Sequence, residues 1–137
     1  MDISREIAIE YIKSQYGAEP EFPWEGDPVS CVFRHCDNRK WFALIMRVRK
    51  DRLGLSGDGA ADCMNLKIDD PVLHDMLCHS EGIIPSYHMN KRHWITVLLD
   101  GTVPGPKVFE LLDVSYRATM SRRKKKKSRS VFLKGLQ

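Results

Sequence analysis

The stretch Tyr87-His88-Met89-Asn90-Lys91-Arg92-His93-Trp94-Ile95-Thr96-Val97-Leu98-Leu99 decides how the rest of the chain is read. Ile95, Val97 and Leu99 recur at period two, with Thr96 and Leu98 at the alternate positions. Successive side chains of a strand point to opposite sides, so the pattern predicts a β-strand with at least one covered face. The polar, aromatic and cationic residues ahead of it then stand at the strand's entrance, where a rigid sheet holds them in place.

Downstream, residues 100–106 are turn-rich, and a helix is expected from about residue 106. Its Val108, Leu111, Leu112, Ser115, Tyr116 and Thr119 fall at spacings of three and four. Upstream, Asp69-Asp70-Pro71 predicts a helix start, with Asp70 as N-cap and Pro71 in the first helical position. Val72, Leu73, Met76 and Leu77 form the stripe of that short helix. Residues 62–68 read as a strand, with Met64, Leu66 and Ile68 in phase. The loop 54–60 before it has three glycines but lacks the Lys-Ser/Thr ending of a phosphate-binding loop.

Residues 29–36 and 41–48 read as an antiparallel hairpin closed by Asp37-Asn38-Arg39-Lys40. The apolar run from Trp41 to Met46 predicts a strand covered on both faces. At the N-terminus Asp2 is the expected cap of a helix striped by Ile3, Ile7, Ala8, Tyr11 and Ile12. Between that helix and the hairpin, Pro20, Pro23, Gly26 and Pro28 predict irregular backbone, with Phe22 and Trp24 as a plug over the sheet edge. The expected fold class is α+β: a single domain, a largely antiparallel sheet, and helices covering it.

A length of 137 residues suits one core, and the domain is placed at residues 1–121. Residues 122–137 carry eight of the 22 Lys and Arg and none of the 18 Asp and Glu, so residues 1–121 hold 14 basic against 18 acidic side chains. The excess positive charge therefore belongs to a Lys/Arg-rich tail and not to the domain surface. Cys31, Cys36, Cys63 and Cys78 lack the spacing of a metal or disulfide framework and read as free thiols. No stretch approaches a membrane span, and the start, Met1-Asp2-Ile3-Ser4-Arg5-Glu6, does not look like a signal segment; a cytoplasmic protein, monomeric or weakly dimeric, is expected.

The chain resembles the MmcQ/YjbR family of small bacterial proteins. Four pieces carry the resemblance in order: Phe22-Pro23-Trp24 with Trp41-Phe42-Ala43-Leu44, then Asn65-Leu66-Lys67-Ile68 to Leu77, then Tyr87 to Trp94, then Glu110-Leu111-Leu112-Asp113-Val114-Ser115-Tyr116. The resemblance covers roughly residues 1–120 and implies a CyaY-like α+β fold and DNA binding through a double-wing arrangement. Loop 54–61 is longer than the family's usual connection, and the lysine-rich tail lies outside the shared pattern.

The chemistry of the octet fits nucleic acid in a specific way. Lys91 and Arg92 would pair with phosphates, His88 and Asn90 would donate to phosphate or base edges, and Tyr87 or Trp94 would stack on an unpaired base. Arg47 and Arg49 share one face of a strand end and join this set as secondary phosphate contacts, although an ordinary solvated edge is the simpler reading. Tyr87, His93, Trp94 and Trp24 are expected mainly to hold structure. Histidines 88 and 93 have no obvious nucleophile nearby in sequence, Ser86 being the local hydroxyl, and their spacing is a weak one for zinc, so no catalytic residue, metal or cofactor is expected. The resulting expectation is a non-enzymatic protein that binds DNA weakly and salt-dependently through the basic loop and tail. The alternative is a protein-interaction or small-ligand module, favoured if Phe22, Trp24, Tyr87 and Trp94 surround an exposed apolar patch or pocket.

Overall fold

The computed structural model describes residues 2–122. Helix α1 (Arg5–Tyr16) is followed by strands β1 (Cys31–Arg34) and β2 (Trp41–Arg49), a short 3-10 turn (Lys50–Leu53) and β3 (Ala60–Lys67). Then come α2 (Pro71–Cys78), β4 (Ile83–Pro85), β5 (Trp94–Leu98) and α3 (Gly105–Ala118). The strands form one five-stranded sheet in the order β1-β2-β3-β5-β4, with every neighbour antiparallel. The α+β class and the single antiparallel sheet expected from the sequence are both present. No helix among the described residues is long and apolar enough to cross a membrane.

The two faces of the sheet are covered differently. On one face Phe33, Phe42, Ile45, Met64, Leu66, Ile95 and Val97 pack with Ala8 and Ile12 of α1 and with Val108, Leu111 and Leu112 of α3. Rings lock the two helices together: Tyr11 stacks on Phe109 at 3.9 Å between centroids, and Tyr16 on Tyr116 at 4.3 Å. On the other face Val32, Leu44, Met46, Val48, Cys63 and Leu98 are overlaid by loop residues such as Leu53, Leu55, Tyr87 and Met89. Helices give close-packed cover, whereas loops leave gaps, and the candidate site lies in such a gap.

One helix side chain is built into the sheet itself. The β2–β3 register, Leu44 opposite Asn65, extended by two residues would pair Phe42 with Lys67, but a bulge interrupts the β1–β2 register at Phe33/Arg34, opposite Phe42. The Ser115 hydroxyl of α3 fills the opening, donating to the Phe42 carbonyl at 2.6 Å and accepting from the Lys67 amide at 2.8 Å. It thus replaces a ladder bond that the bulge would otherwise leave unmade.

Several expectations are corrected in detail. The N-cap of α1 is Ser4, whose side chain accepts from the Ile7 amide, and not Asp2. Asp2 instead lies against Gly101, where a φ of 89° and carboxylate contact leave no room for a Cβ. Strand β1 is shorter than the predicted 29–36, because Asp27 accepts from the amides of Val29 and Ser30 and turns the chain there. Residues 83–85 form the short strand β4. Asp70 caps α2 as expected, accepting from Val72 and Leu73. Of the basic tail, only Arg122 belongs to the described residues, so the tail as a structural unit lies outside them.

Ser115→Ala is expected to leave two buried backbone groups unpaired and to lower stability by about 2–4 kcal/mol. Chemical denaturation reads this as a fall in midpoint at unchanged slope. A midpoint equal to the parent's would show that the hydroxyl does not bridge the bulge.

Candidate functional site

The octet is tied to the open face of the sheet by a buried polar cluster. Asn65 on β3 and Thr96 on β5 are opposite each other and both fully buried. The Thr96 hydroxyl donates to Asn65 Oδ1 at 2.6 Å and accepts from the Tyr87 amide at 2.9 Å, while Asn65 Nδ2 donates to the Tyr87 carbonyl at 2.7 Å. Both backbone groups of Tyr87 are thereby bonded, which clamps this residue over the centre of the sheet. His88 then takes a positive φ of 72°, and its ring packs on Tyr87 at 4.0 Å. Asn90 closes the loop: its side chain accepts from the Arg92 amide at 2.9 Å and its carbonyl from the amides of His93 and Trp94.

Beside the clamped loop lies a cleft of about 730 Å³. Strand β1 begins at Cys31, opposite Ile45, whereas β2 runs on to Arg49, so residues 46–49 have β3 on one side and the loop of Trp24, Asp27 and Ser30 on the other. Leu44, Met46 and Val48 form the floor. The aromatic walls are Trp24 and Trp41, in edge contact at 5.8 Å, and Tyr87 across from them with His88 and Met89. Arg47, Arg49 and Arg52 complete the lining.

The charges around the cleft are unequal in availability. Arg47 is paired with Asp62 at 2.8 Å and Arg49 with Asp51 at 2.6 Å. Asp27 is held below the usual carboxylate range, first by its bonds with Ser30 and then by the Val29 amide, so it stays ionised. The Arg52 guanidinium is held above its usual value by the neighbouring Tyr87 side chain and, to a lesser degree, by Asp51. It makes no ion pair among the described residues, so no contacting carboxylate cancels its charge.

The structure thus divides the residues singled out in the sequence. Arg47, Arg49, His88, Tyr87 and Trp24 meet at the cleft, while Asn90, Lys91 and Arg92 lie exposed in the turn away from its lining. Trp24 and Phe22 are not a buried plug, since they are 39% and 50% exposed, and Trp24 is instead a cleft wall. Tyr87 fixes the strand entrance through its backbone, but its ring faces the cleft. Trp94 is buried, its carbonyl accepting from His74 Nε2 at 3.0 Å, and His93 lies 3.7 Å from Asp69. Trp41, Met46, Met89 and Arg52 were not recognised as site residues. The alternation of Leu44, Met46 and Val48 with Arg47 and Arg49 was the available sign that β2 has an apolar face at its open end.

Two thiol environments bear on reactivity. Burial, with Asp62 adding to it, pushes the Cys63 thiol up to about 12. Cys78 Sγ lies 3.8 Å from His74 Nδ1, but burial and then Asp75 raise this thiol too, which opposes thiolate formation. That contact lies within α2, and it is His74 Nε2, bonded to the Trp94 carbonyl, that ties α2 to the start of β5.

A small α+β domain with helices on one face of its sheet and an aromatic cleft on the other is the class of protein these observations define. The chain belongs to the YjbR family, whose model matches residues 13–118. It is 40% identical over 117 residues to the uncharacterized protein YyaQ of Bacillus subtilis, covering 85% of this chain and 98% of that protein. A stretch of 43 residues is 44% identical to the uncharacterized protein YjbR of Escherichia coli K12, covering 31% of this chain and 36% of that one. Among solved structures, a Pseudomonas syringae protein superposes with a TM-score of 0.84 at 41% identity, over 86% of this chain and 100% of that one. A Deinococcus radiodurans protein of family domain DUF419 superposes with a TM-score of 0.67 at 27% identity, over 91% and 87% of the two chains.

Thr96→Val keeps the shape of the side chain but removes the hydroxyl shared by Asn65 and Tyr87. The expected result is a stability loss of about 1–3 kcal/mol and faster hydrogen exchange at the Tyr87 amide, with the helix-side amides of α3 unchanged. Unaltered exchange at Tyr87 would show that the cluster does not hold the loop.

Proposed function

We propose that this YjbR-family domain is a binding module for a small molecule, and that the cleft on the open face of the sheet is its site. The observation that carries the reading is the convergence of Trp24, Trp41 and Tyr87 on a cleft whose floor is Leu44, Met46 and Val48. A volume of about 730 Å³ falls within the roughly 300–1,000 Å³ of small-molecule sites. The lining also has the composition of such sites, apolar and aromatic surface with a few placed polar groups. Contact with a ligand would remove the part-exposed walls, Trp24, Trp41, Tyr87 and Met89, from water, and the gain grows with the apolar area covered. The reading is one of binding, and no chemical step is assigned to the cleft.

DNA binding is the second reading, and a separate observation favours it. Lys91 and Arg92 are exposed and make no ion pair among the described residues, so both charges are available to phosphate. Against it, Arg47 and Arg49 are already paired with carboxylates, and the domain outside the tail carries more acidic than basic residues. Phosphate binding depends on the number of charges neutralised, which makes two adjacent cations a small footprint.

Nitrogen–proton correlation NMR of the full chain distinguishes the readings through its three tryptophans. A screen of small organic fragments is expected to shift the indole signals of Trp24 and Trp41 and to leave Trp94 in place. Duplex DNA is expected to give at most a weak, salt-sensitive change at Lys91 and Arg92. Absence of any fragment response at Trp24 and Trp41 would sink the small-molecule reading. A strong DNA response abolished by changing Lys91 and Arg92 to Ala would put the second reading first.

A further inference from the structure

Resting on the reading of the cleft as the binding site, we infer that its ligand is a planar aromatic compound carrying a carboxylate or phosphate, with the ring among Trp24, Trp41 and Tyr87 and the anion at Arg52. The ring requirement follows from the walls. Trp24 and Trp41 meet edge to face, with 77° between their planes, and so present surfaces of different orientation to one ligand. Tyr87 closes the opposite side, and the thioethers of Met46 and Met89 add polarizable contact. Flat π surfaces and methionine sulfur favour an aromatic partner over an aliphatic one of equal size.

The anion requirement follows from Arg52. Arg52 lines the cleft together with Tyr87 and makes no ion pair among the described residues, so a guanidinium stands at an aromatic wall with no contacting carboxylate. The planar fork of a guanidinium matches a carboxylate or phosphate and can bind it through two parallel N–H bonds. Arg47 and Arg49 reinforce the field but are committed to Asp62 and Asp51. These carboxylates and Asp27 flank the cleft and would repel an extended polyanion, so the fitting ligand carries its charge at one end.

Matched probes titrated into the full chain, followed at the Trp24 and Trp41 indoles, test this inference. Indole-3-acetate is compared with neutral indole-3-acetamide, phenyl phosphate with phenol, and acetate and inorganic phosphate serve as anions without a ring. Each aromatic anion is expected to bind about ten-fold or more tightly than its neutral counterpart, in keeping with a charge-assisted hydrogen bond. That advantage is expected to vanish in Arg52→Gln, and in the parent chain it is expected to shrink at high salt while the neutral rings bind as before. Tyr87→Phe, which keeps the wall but removes the phenol oxygen near Arg52, is expected to reduce the advantage without abolishing ring binding. An unshifted Trp94 signal reports that each variant is folded. Equal binding of charged and neutral rings would overturn the inference while leaving the cleft as a ligand site, and so would ringless anions that match the aromatic ones. Binding of none of the probes at the cleft would overturn the reading on which the inference rests.

Discussion

The structure turns on a polar pair placed where polar groups are costly. Asn65 sits on the middle strand of the sheet with no exposed surface, and Thr96 opposite it is equally buried. A buried amide or hydroxyl without partners costs more than the bond itself contributes, so the pair must be bonded. Each partners the other, and both reach the backbone of Tyr87. A residue 22 positions from Asn65 in sequence is thereby fixed on the open face, and the rest of the octet follows from that anchor. The positive φ of His88 and the Asn90 turn bring the chain back to begin β5 at Trp94.

The same anchor explains why the open face holds a cleft and not a second layer. Helices α1 and α3 give the other face a continuous packed cover, to which Ser115 adds a direct bond into the sheet. Among the described residues the open face carries the 3-10 turn, the glycine loop, the octet and the loop of Trp24, Asp27 and Ser30, and each covers one part of the floor. Because β1 stops short of the end of β2, the part between Trp24 and Tyr87 stays open. Site and scaffold are thus separate: the helix face carries most of the packing, and loops held by side-chain bonds shape the recognition surface.

Much of the fold was legible in local patterns. The period-two run from Ile95 to Leu99 predicted β5 and the division of its residues between faces, and Asp70-Pro71 marked the start of α2 to the residue. The bulge at Phe42 was hidden, because a run that is apolar on both faces has no phase from which a slip can be read. Strand β4 was hidden by its brevity and its proline. For the site, the octet stands out in the sequence by its unusual chemistry, and the emphasis on Lys91 and Arg92 follows their charge. Which octet residues face the cleft depends on the Asn65–Tyr87 bond, and whether an arginine is available depends on Asp51, Asp62 and Tyr87. These are tertiary facts with no local signature in the sequence.

The central claim is that the open face of the sheet, and not the exposed turn of the octet, receives the ligand. A crystal of the full chain soaked with a collection of small aromatic fragments tests it most directly. The account predicts that bound fragments gather over Leu44, Met46 and Val48, between the tryptophan pair and Tyr87. Fragments that collect elsewhere and leave this floor bare, in a lattice where it is accessible, would contradict it.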